Sequence, residues 1–190
     1  MTLLMLLSTP TRENGKRIIN RKERKQMKTL RIDNNFEGHL KLEATEIYAD
    51  YCAALTSIES PEATEIYARY CTSLISIDSP KATYIDARDC TSLTSIEAPE
   101  ATGIYARDCT SLISIEAPKA THIYANGCTA LTSINAPKAT HIFASYCSSL
   151  ISINAPEAQT IYAYKCAALT VSKPQKRRPL TPVVARPSLA

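Results

Sequence analysis

A chain of 190 residues with a net charge of +4 has room for one domain and its tails, and its charge is unevenly laid out. Residues 1–40 hold nine Lys/Arg against four acids and residues 173–190 hold five against none, while 41–172 hold eight against fourteen. That acidic body argues against a nucleic-acid-binding face, which needs a basic stripe, and no segment approaches the roughly 18 apolar residues of a membrane span.

In chain order, Leu3–Leu7 is an apolar run with no positive charge before it and no small-residue cleavage site after it, so no Sec leader is expected. Residues 1–26 are otherwise polar and basic. The pair Ile18-Ile19 is too thin an apolar face to dock a helix, and a mostly disordered tail is expected. Met27-x-x-Leu30-x-Ile32-x-x-Asn35 then has the spacing of the coils that follow, but lies 17 residues before the next start. Residues 27–43 are therefore expected to form an N-terminal cap, with Phe36, Leu40 and Leu42 covering the open core.

The body of the chain repeats every 19 residues. Cys52, Cys71, Cys90, Cys109, Cys128, Cys147 and Cys166 keep that step, and Leu55 to Leu169 follow three residues behind them. A fixed period near 20 is the signature of a solenoid, whose coils bury their apolar faces only against one another. Seven regular coils start at Ala44, Ala63, Ala82, Ala101, Ala120, Ala139 and Ala158, so the solenoid is placed at 27–172. In each, x-Ile-x-Ala-x alternates with period two and reads as a short half-buried strand, for example Tyr84–Arg88 with Ile85 and Ala87 inward. The chain turns near Asp89, Cys90 enters the core, Leu93 and Ile96 line the opposite wall, and Pro99 closes the coil. The fold class is an all-β solenoid with a parallel sheet on one face, plus caps, its coils about 4.8 Å apart. After Leu169 the register slips, and 173–190 is a basic, Pro-rich tail. Leu180–Arg186 repeats the strand pattern and reads as a capping edge strand; a free tail or a proline-rich ligand are its rivals.

The run Ala82-x-x-Ile85-x-Ala87-x-x-Cys90-x-x-Leu93 resembles the core of leucine-rich repeats, and Cys90-x-x-Leu93-x-x-Ile96-x-x-Pro99 resembles the BspA-like bacterial class. The likeness covers 27–172. It departs from that family in using Ala where Leu is usual, and in a period shorter than the usual 20–29 residues. The resemblance implies a right-handed coil stack, protein recognition on the sheet and no catalysis. It also makes the cysteine column an inward ladder. Physically, a buried Cys is a small hydrophobe whose S–H can reach a turn carbonyl. Seven thiols with no C-x-x-C are read as reduced, in a cytoplasmic protein or one exported by a non-Sec route. Parallel Cβ vectors disfavour disulfides, and a 19-residue column does not converge on zinc.

Outward positions of the first sheet form three columns. The central one is Tyr48, Tyr67, Asp86, Tyr105, Tyr124, Phe143, Tyr162. Asp50, Arg69, Arg88, Arg107, Asn126, Ser145, Tyr164 run beside it, and Glu46, Glu65, Tyr84, Gly103, His122, His141, Thr160 on the other side. Tyr51, Tyr70 and Tyr146 stand at the rim. Aromatics next to arginine have the composition of an interaction hot spot, while stacked rings on neighbouring strands also serve the sheet itself. Stacked arginines ask for an anionic partner unless Asp89 and Asp108 neutralise them. His122 and His141 are stacked neighbours without convergent partners and read as plain surface histidines. The second wall alternates Thr56, Ile75, Thr94, Ile113, Thr132, Ile151, Thr170 beside a serine column.

No Ser–His–Asp set, phosphate loop or paired-carboxylate signature is present, so no enzyme, cofactor or metal is expected. The reading is a monomeric protein-interaction module. Its candidate partner-binding residues are Tyr67, Arg69, Arg88, Tyr105, Arg107 and Tyr124, facing a protein or peptide with an acidic surface. The alternative is a structural or surface-adsorbing solenoid, whose Ser/Thr wall resembles that of ice-binding β-solenoids.

Overall fold

The structure, a computed structural model, describes residues 29–169 and two two-residue strands, β1 (Arg12–Glu13) and β2 (Lys16–Arg17), which pair antiparallel. The expected capping strand 180–186 and the rest of the C-terminal tail lie outside the described residues, as does most of 1–26.

Each coil from the N-terminal cap to the one starting at Ala139 gives one strand to each of two walls. Among the described residues the coil starting at Ala158 gives one, to the first wall. The first wall is one parallel sheet of eight strands: β3 (Thr29–Arg31), β5 (Glu46–Tyr48), β7 (Glu65–Tyr67), β9 (Tyr84–Asp86), β11 (Gly103–Tyr105), β13 (His122–Tyr124), β15 (His141–Phe143) and β17 (Thr160–Tyr162). Its register is the sequence repeat. Ile47 pairs with Ile66, Ile66 with Ile85, and so on to Ile161, while Leu30↔Ile47 absorbs the 17-residue step at the N-terminal end. Leu30 and Leu40 are buried in that first coil, and Phe36 and Leu42 pack on the core from its edge.

The core is the expected one of small and medium side chains. The Ile, Ala, Cys and Leu columns are essentially inaccessible from coil 44 through coil 139, as in Ile85, Ala87, Cys90 and Leu93. Each fully buried Ile or Leu is worth about 1.5–3 kcal/mol, and the Ala positions let the two walls approach.

Between the walls the chain turns at the residue before each cysteine, and that residue is left-handed: Tyr51 (φ 64°), Tyr70 (60°), Asp89 (62°), Asp108 (59°), Gly127 (77°), Tyr146 (63°) and Lys165 (57°). Only one of the seven is the glycine such a backbone favours. Each other one costs about 1–2 kcal/mol. Two hydrogen bonds offset the strain. The left-handed residue's N–H donates to the next coil, as in Asp89 N to Arg107 O at 2.8 Å and Tyr146 N to Tyr164 O at 2.7 Å. The cysteine that follows donates its S–H to an alanine carbonyl 22 residues earlier: Cys71 to Ala49 O, Cys90 to Ala68 O and Cys109 to Ala87 O, at 2.9–3.0 Å. The cysteine column thus stitches each turn to the coil before it.

The second wall is two sheets. β4 (Gly38–Lys41), β6 (Leu55–Glu59), β8 (Ser76–Asp78) and β10 (Ser95–Glu97) form one; β12 (Ser114–Glu116), β14 (Ser133–Asn135) and β16 (Ser152–Asn154) form the other. At the seam the bond from Ile113 N to Thr94 O stretches to 3.4 Å, against 2.8 Å for Thr132 N to Ile113 O. Ile96, expected fully inward, is only partly buried there. Ile75, Ile113 and Ile151 stand about half exposed on this wall.

Candidate functional site

The outward face of the eight-stranded sheet carries all six candidate residues, Tyr67, Arg69, Arg88, Tyr105, Arg107 and Tyr124. In-register pairing stacks its aromatic column. Tyr48 and Tyr67 lie 4.7 Å apart at 5°, Tyr105 and Tyr124 4.6 Å apart at 11°, Tyr124 and Phe143 4.9 Å apart at 3°, and Phe143 and Tyr162 5.1 Å apart at 18°. Arg31 caps the near end, its guanidinium 4.5 Å from the Tyr48 ring centre.

One coil departs from the expected pattern. Asp86 was placed outward in the aromatic column, but it is only 2% exposed. Tyr84, from the neighbouring column, leans over it and bridges the gap, 5.3 Å from Tyr67 and 5.2 Å from Tyr105. Gly103 lies beside it: a Cβ there would meet the Tyr84 and Tyr105 rings at 3.7 and 3.5 Å, ordinary contact distances. The ladder stays continuous by changing column for one coil.

Beneath Tyr84 the Asp86 carboxylate accepts two bonds from Arg88, from Nε at 2.8 Å and Nη2 at 2.7 Å, and lies 3.9 Å from Arg69 Nε. Arg69 forks onto Asp50, with Nε 3.1 Å from Oδ2. Arg107 gives only its Nε, 2.9 Å from Asp108 Oδ2. Of the two acids expected to neutralise the arginines, Asp108 does so and Asp89 does not. Asp50 and Asp86 take the larger share. Both were readable in principle: Asp50 stands one coil before Arg69 in the same column, and Asp86 two residues before Arg88 on the same face of its strand.

Burial, then the Glu65 carboxylate that accepts its hydroxyl hydrogen at 2.9 Å, push the Tyr67 phenol up to about 12. Burial and Asp86 push Tyr84 the same way. Both rings are therefore neutral, hydrogen-donating phenols across the physiological range.

Replacing Asp86 with alanine leaves two guanidiniums facing each other. Their side chains are 39% exposed, so water screens part of the cost. The expected destabilisation is roughly 1–3 kcal/mol by chemical denaturation. Asp86→Ala with Arg88→Ala should lose less than the sum of the two single changes.

Two hollows flank Arg107. One, of about 290 Å³, is lined by Tyr51, Arg69, Tyr70, Arg88, Asp89 and Arg107. The other, of about 640 Å³, is lined by Arg107, Asp108, Asn126, Phe143, Ser145, Tyr146 and Tyr162. Gly127, the turn residue without a side chain, packs its backbone against the Asp108 carboxylate. A Cβ there would sit 2.1 Å from Asp108 Oδ1.

A further column is visible in the sequence at the same 19-residue step. Thr64, Thr83, Thr102, Thr121 and Thr140 each donate Oγ1–H to the threonine carbonyl one coil earlier, at 3.1–3.2 Å. On the second wall Thr94 and Thr132 likewise donate to Ile75 O and Ile113 O at 3.0 Å. These hydroxyls lie within hydrogen-bond reach of the main chain of the preceding coil.

Among the described residues there is no group of three or more His, Cys, Asp or Glu placed to hold a metal ion, and no helix long and apolar enough to cross a membrane. Compared with protein-family models, with curated proteins and with solved structures, the chain finds no match.

Proposed function

We propose that the chain is a non-catalytic protein-interaction module that takes a protein or peptide on the exposed face of its eight-stranded sheet. Its coil is read as a shortened form of the BspA-like leucine-rich repeat it resembles, with cysteine as the inward ladder residue. The observation that carries the binding reading is Arg107. Its side chain is 55% exposed, and among the described residues its two terminal nitrogens meet no carboxylate. It stands between two hollows walled by tyrosines. Arg69 and Arg88 are tied to Asp50 and Asp86 and serve as rigid walls. A partner side chain carboxylate would pair with the free edge of Arg107, while an aromatic or aliphatic neighbour would enter the hollow lined by Phe143, Tyr146 and Tyr162.

The experiment is selection of binders from a displayed random-peptide library against the intact chain, followed by affinity measurement. Binders should be rich in Asp or Glu beside an aromatic residue. Arg107→Glu should weaken them by roughly 10-fold or more and remove the salt dependence of association. Arg107 is not paired to a buried group, so the charge reversal is expected to leave the melting temperature unchanged. Binders indifferent to the reversal would place recognition elsewhere, with the Ser/Thr wall as the next face to test.

A further inference from the structure

The second wall carries an apolar row that no described residue covers. Ile75, Ile113 and Ile151 stand off it 50%, 54% and 52% exposed. They share one column with Thr56, Thr94 and Thr132, each of which is only partly exposed. Coils lie about 4.8 Å apart, so the isoleucines recur about every 9.6 Å as knobs with threonine gaps between them. Thr94 and Thr132 turn Oγ1 back to the main chain, 3.0 Å from Ile75 O and Ile113 O. Three residues further along each coil, a second column changes character on its way down the wall. It reads Glu59, Asp78, Glu97 and Glu116, then Asn135 and Asn154. The wall itself parts between β10 and β12, at the midpoint of these six coils.

We propose that the second wall binds a second copy of this chain, face to face and antiparallel, about a two-fold axis along the strands at that midpoint. Such an axis reverses the order of the coils and lays each column over itself. Thr56 then faces Ile151 of the second copy, Ile75 faces Thr132, and Thr94 faces Ile113. Every isoleucine enters a threonine gap, and every coil level receives one isoleucine. A parallel pairing in register sets isoleucine on isoleucine and does not interdigitate. The same reversal sets Glu59 against Asn154 and Asp78 against Asn135. A side-chain amide has two N–H donors. Asn135 and Asn154 each use one within the chain, on Glu116 Oε2 at 2.7 Å and on Asn135 Oδ1 at 2.8 Å. The other is left for the carboxylate opposite. Glu97 and Glu116 meet at the centre, but both are exposed, so solvent and salt screen them. Self-complementarity of this kind is what a closed two-fold contact requires. Six coils by four or five residues make a patch of about 400 Å² on each copy. The total of roughly 800 Å² lies under the about 1,200 Å² of standard stable complexes, so the dimer is weak and the chain monomeric when dilute. The eight-stranded sheets stay free on the outer sides, so the pair presents two Arg107 faces at once.

Sedimentation velocity of the full chain from roughly 10 µM to roughly 1 mM tests this. The sedimentation coefficient should rise from monomer to dimer and stop there. Ile113→Thr leaves two gaps empty and Thr94→Ile blocks two, so each should weaken association by about 10-fold or more. Thr94→Ile adds apolar surface, so a merely sticky patch would associate more strongly, not less. The two changes together put one isoleucine back at every level and should restore the dimer. Asp78→Lys, at an exposed position outside the isoleucine column, should also weaken it and serves if Thr94→Ile disturbs the fold. A chain that stays monomeric throughout that range overturns the proposal. So does a dimer indifferent to Ile113→Thr, one that Thr94→Ile strengthens, or growth past the dimer, which marks an unclosed contact.

Discussion

Replacing Ile104 with aspartate is expected to unfold the coils around it, while Tyr105→Ala, one residue along, leaves the solenoid standing. Ile104 is 1% exposed at the centre of β11 and pairs with Ile85 on one side and Ile123 on the other. Losing the isoleucine costs about 2–5 kcal/mol through transfer and cavity. A carboxylate left there without a partner adds several more. Together these match the whole stability of a typical domain, about 5–15 kcal/mol. A solenoid coil has no other neighbours to lean on, so the coils on both sides lose their support with it. Tyr105 points the opposite way. It loses one stacked contact with Tyr124 and one tilted contact with Tyr84, at roughly 0.2–1 kcal/mol each. Equal melting losses for the two variants would mean that the inward and outward faces have been assigned the wrong way round.

That contrast marks what was legible in the chain and what was not. The period of 19 determines which residues meet across strands, because stacked coils in register put position i against i+19. The Ile, Ala, Cys and Leu columns follow from that step alone. What depends on one side chain's conformation was not legible. Asp86 reads as outward by alternation, yet it lies under Tyr84, because Arg88 two residues on draws its carboxylate. The turn near Asp89 was legible but its left-handed backbone was not, because Tyr51, Tyr70 and Lys165 occupy equivalent positions normally signalled by glycine, asparagine or aspartate. Gly127 is the one glycine among them. The threonine ladder was written plainly at the same period. Its chemistry, a hydroxyl facing a main-chain carbonyl, is structural and carries no signature of a site.

Alkaline pH should unfold the protein steeply, and the cysteine column is the cause. Cys52, Cys71, Cys109 and Cys128 are fully buried. Burial pushes the Cys109 thiol up to about 12, and Cys52 and Cys71 are displaced in the same direction. Cys128 and Cys147 share a hydrogen bond that moves Cys128 up and Cys147 down, so that pair offsets itself. An unfolded thiol gives up its proton near pH 8.5, on the order of an ordinary cysteine. Between that value and the raised folded values, the unfolded chain binds fewer protons than the folded one, so stability falls as pH rises. Below about pH 8.5 both states hold the proton and the contribution is fully present. Each buried thiol steepens the fall by about 1.4 kcal/mol per pH unit. Cys52, Cys71 and Cys109 acting together would exhaust a stability of about 5–15 kcal/mol within roughly one to four pH units. Denaturant melts from pH 7 to 11, followed by far-ultraviolet circular dichroism, should show this as a collapse of stability above pH 9. Cys109→Ser keeps a hydrogen donor for Ala87 O but removes the titrating thiol, so it should make the alkaline limb shallower by about 1.4 kcal/mol per unit. Thiol reagents should react slowly with the folded chain at pH 8 and quickly once the alkaline transition begins. Stability that stays level to pH 11, or several thiols reacting at once at pH 8, would mean that the column is not the closed, proton-holding ladder described above.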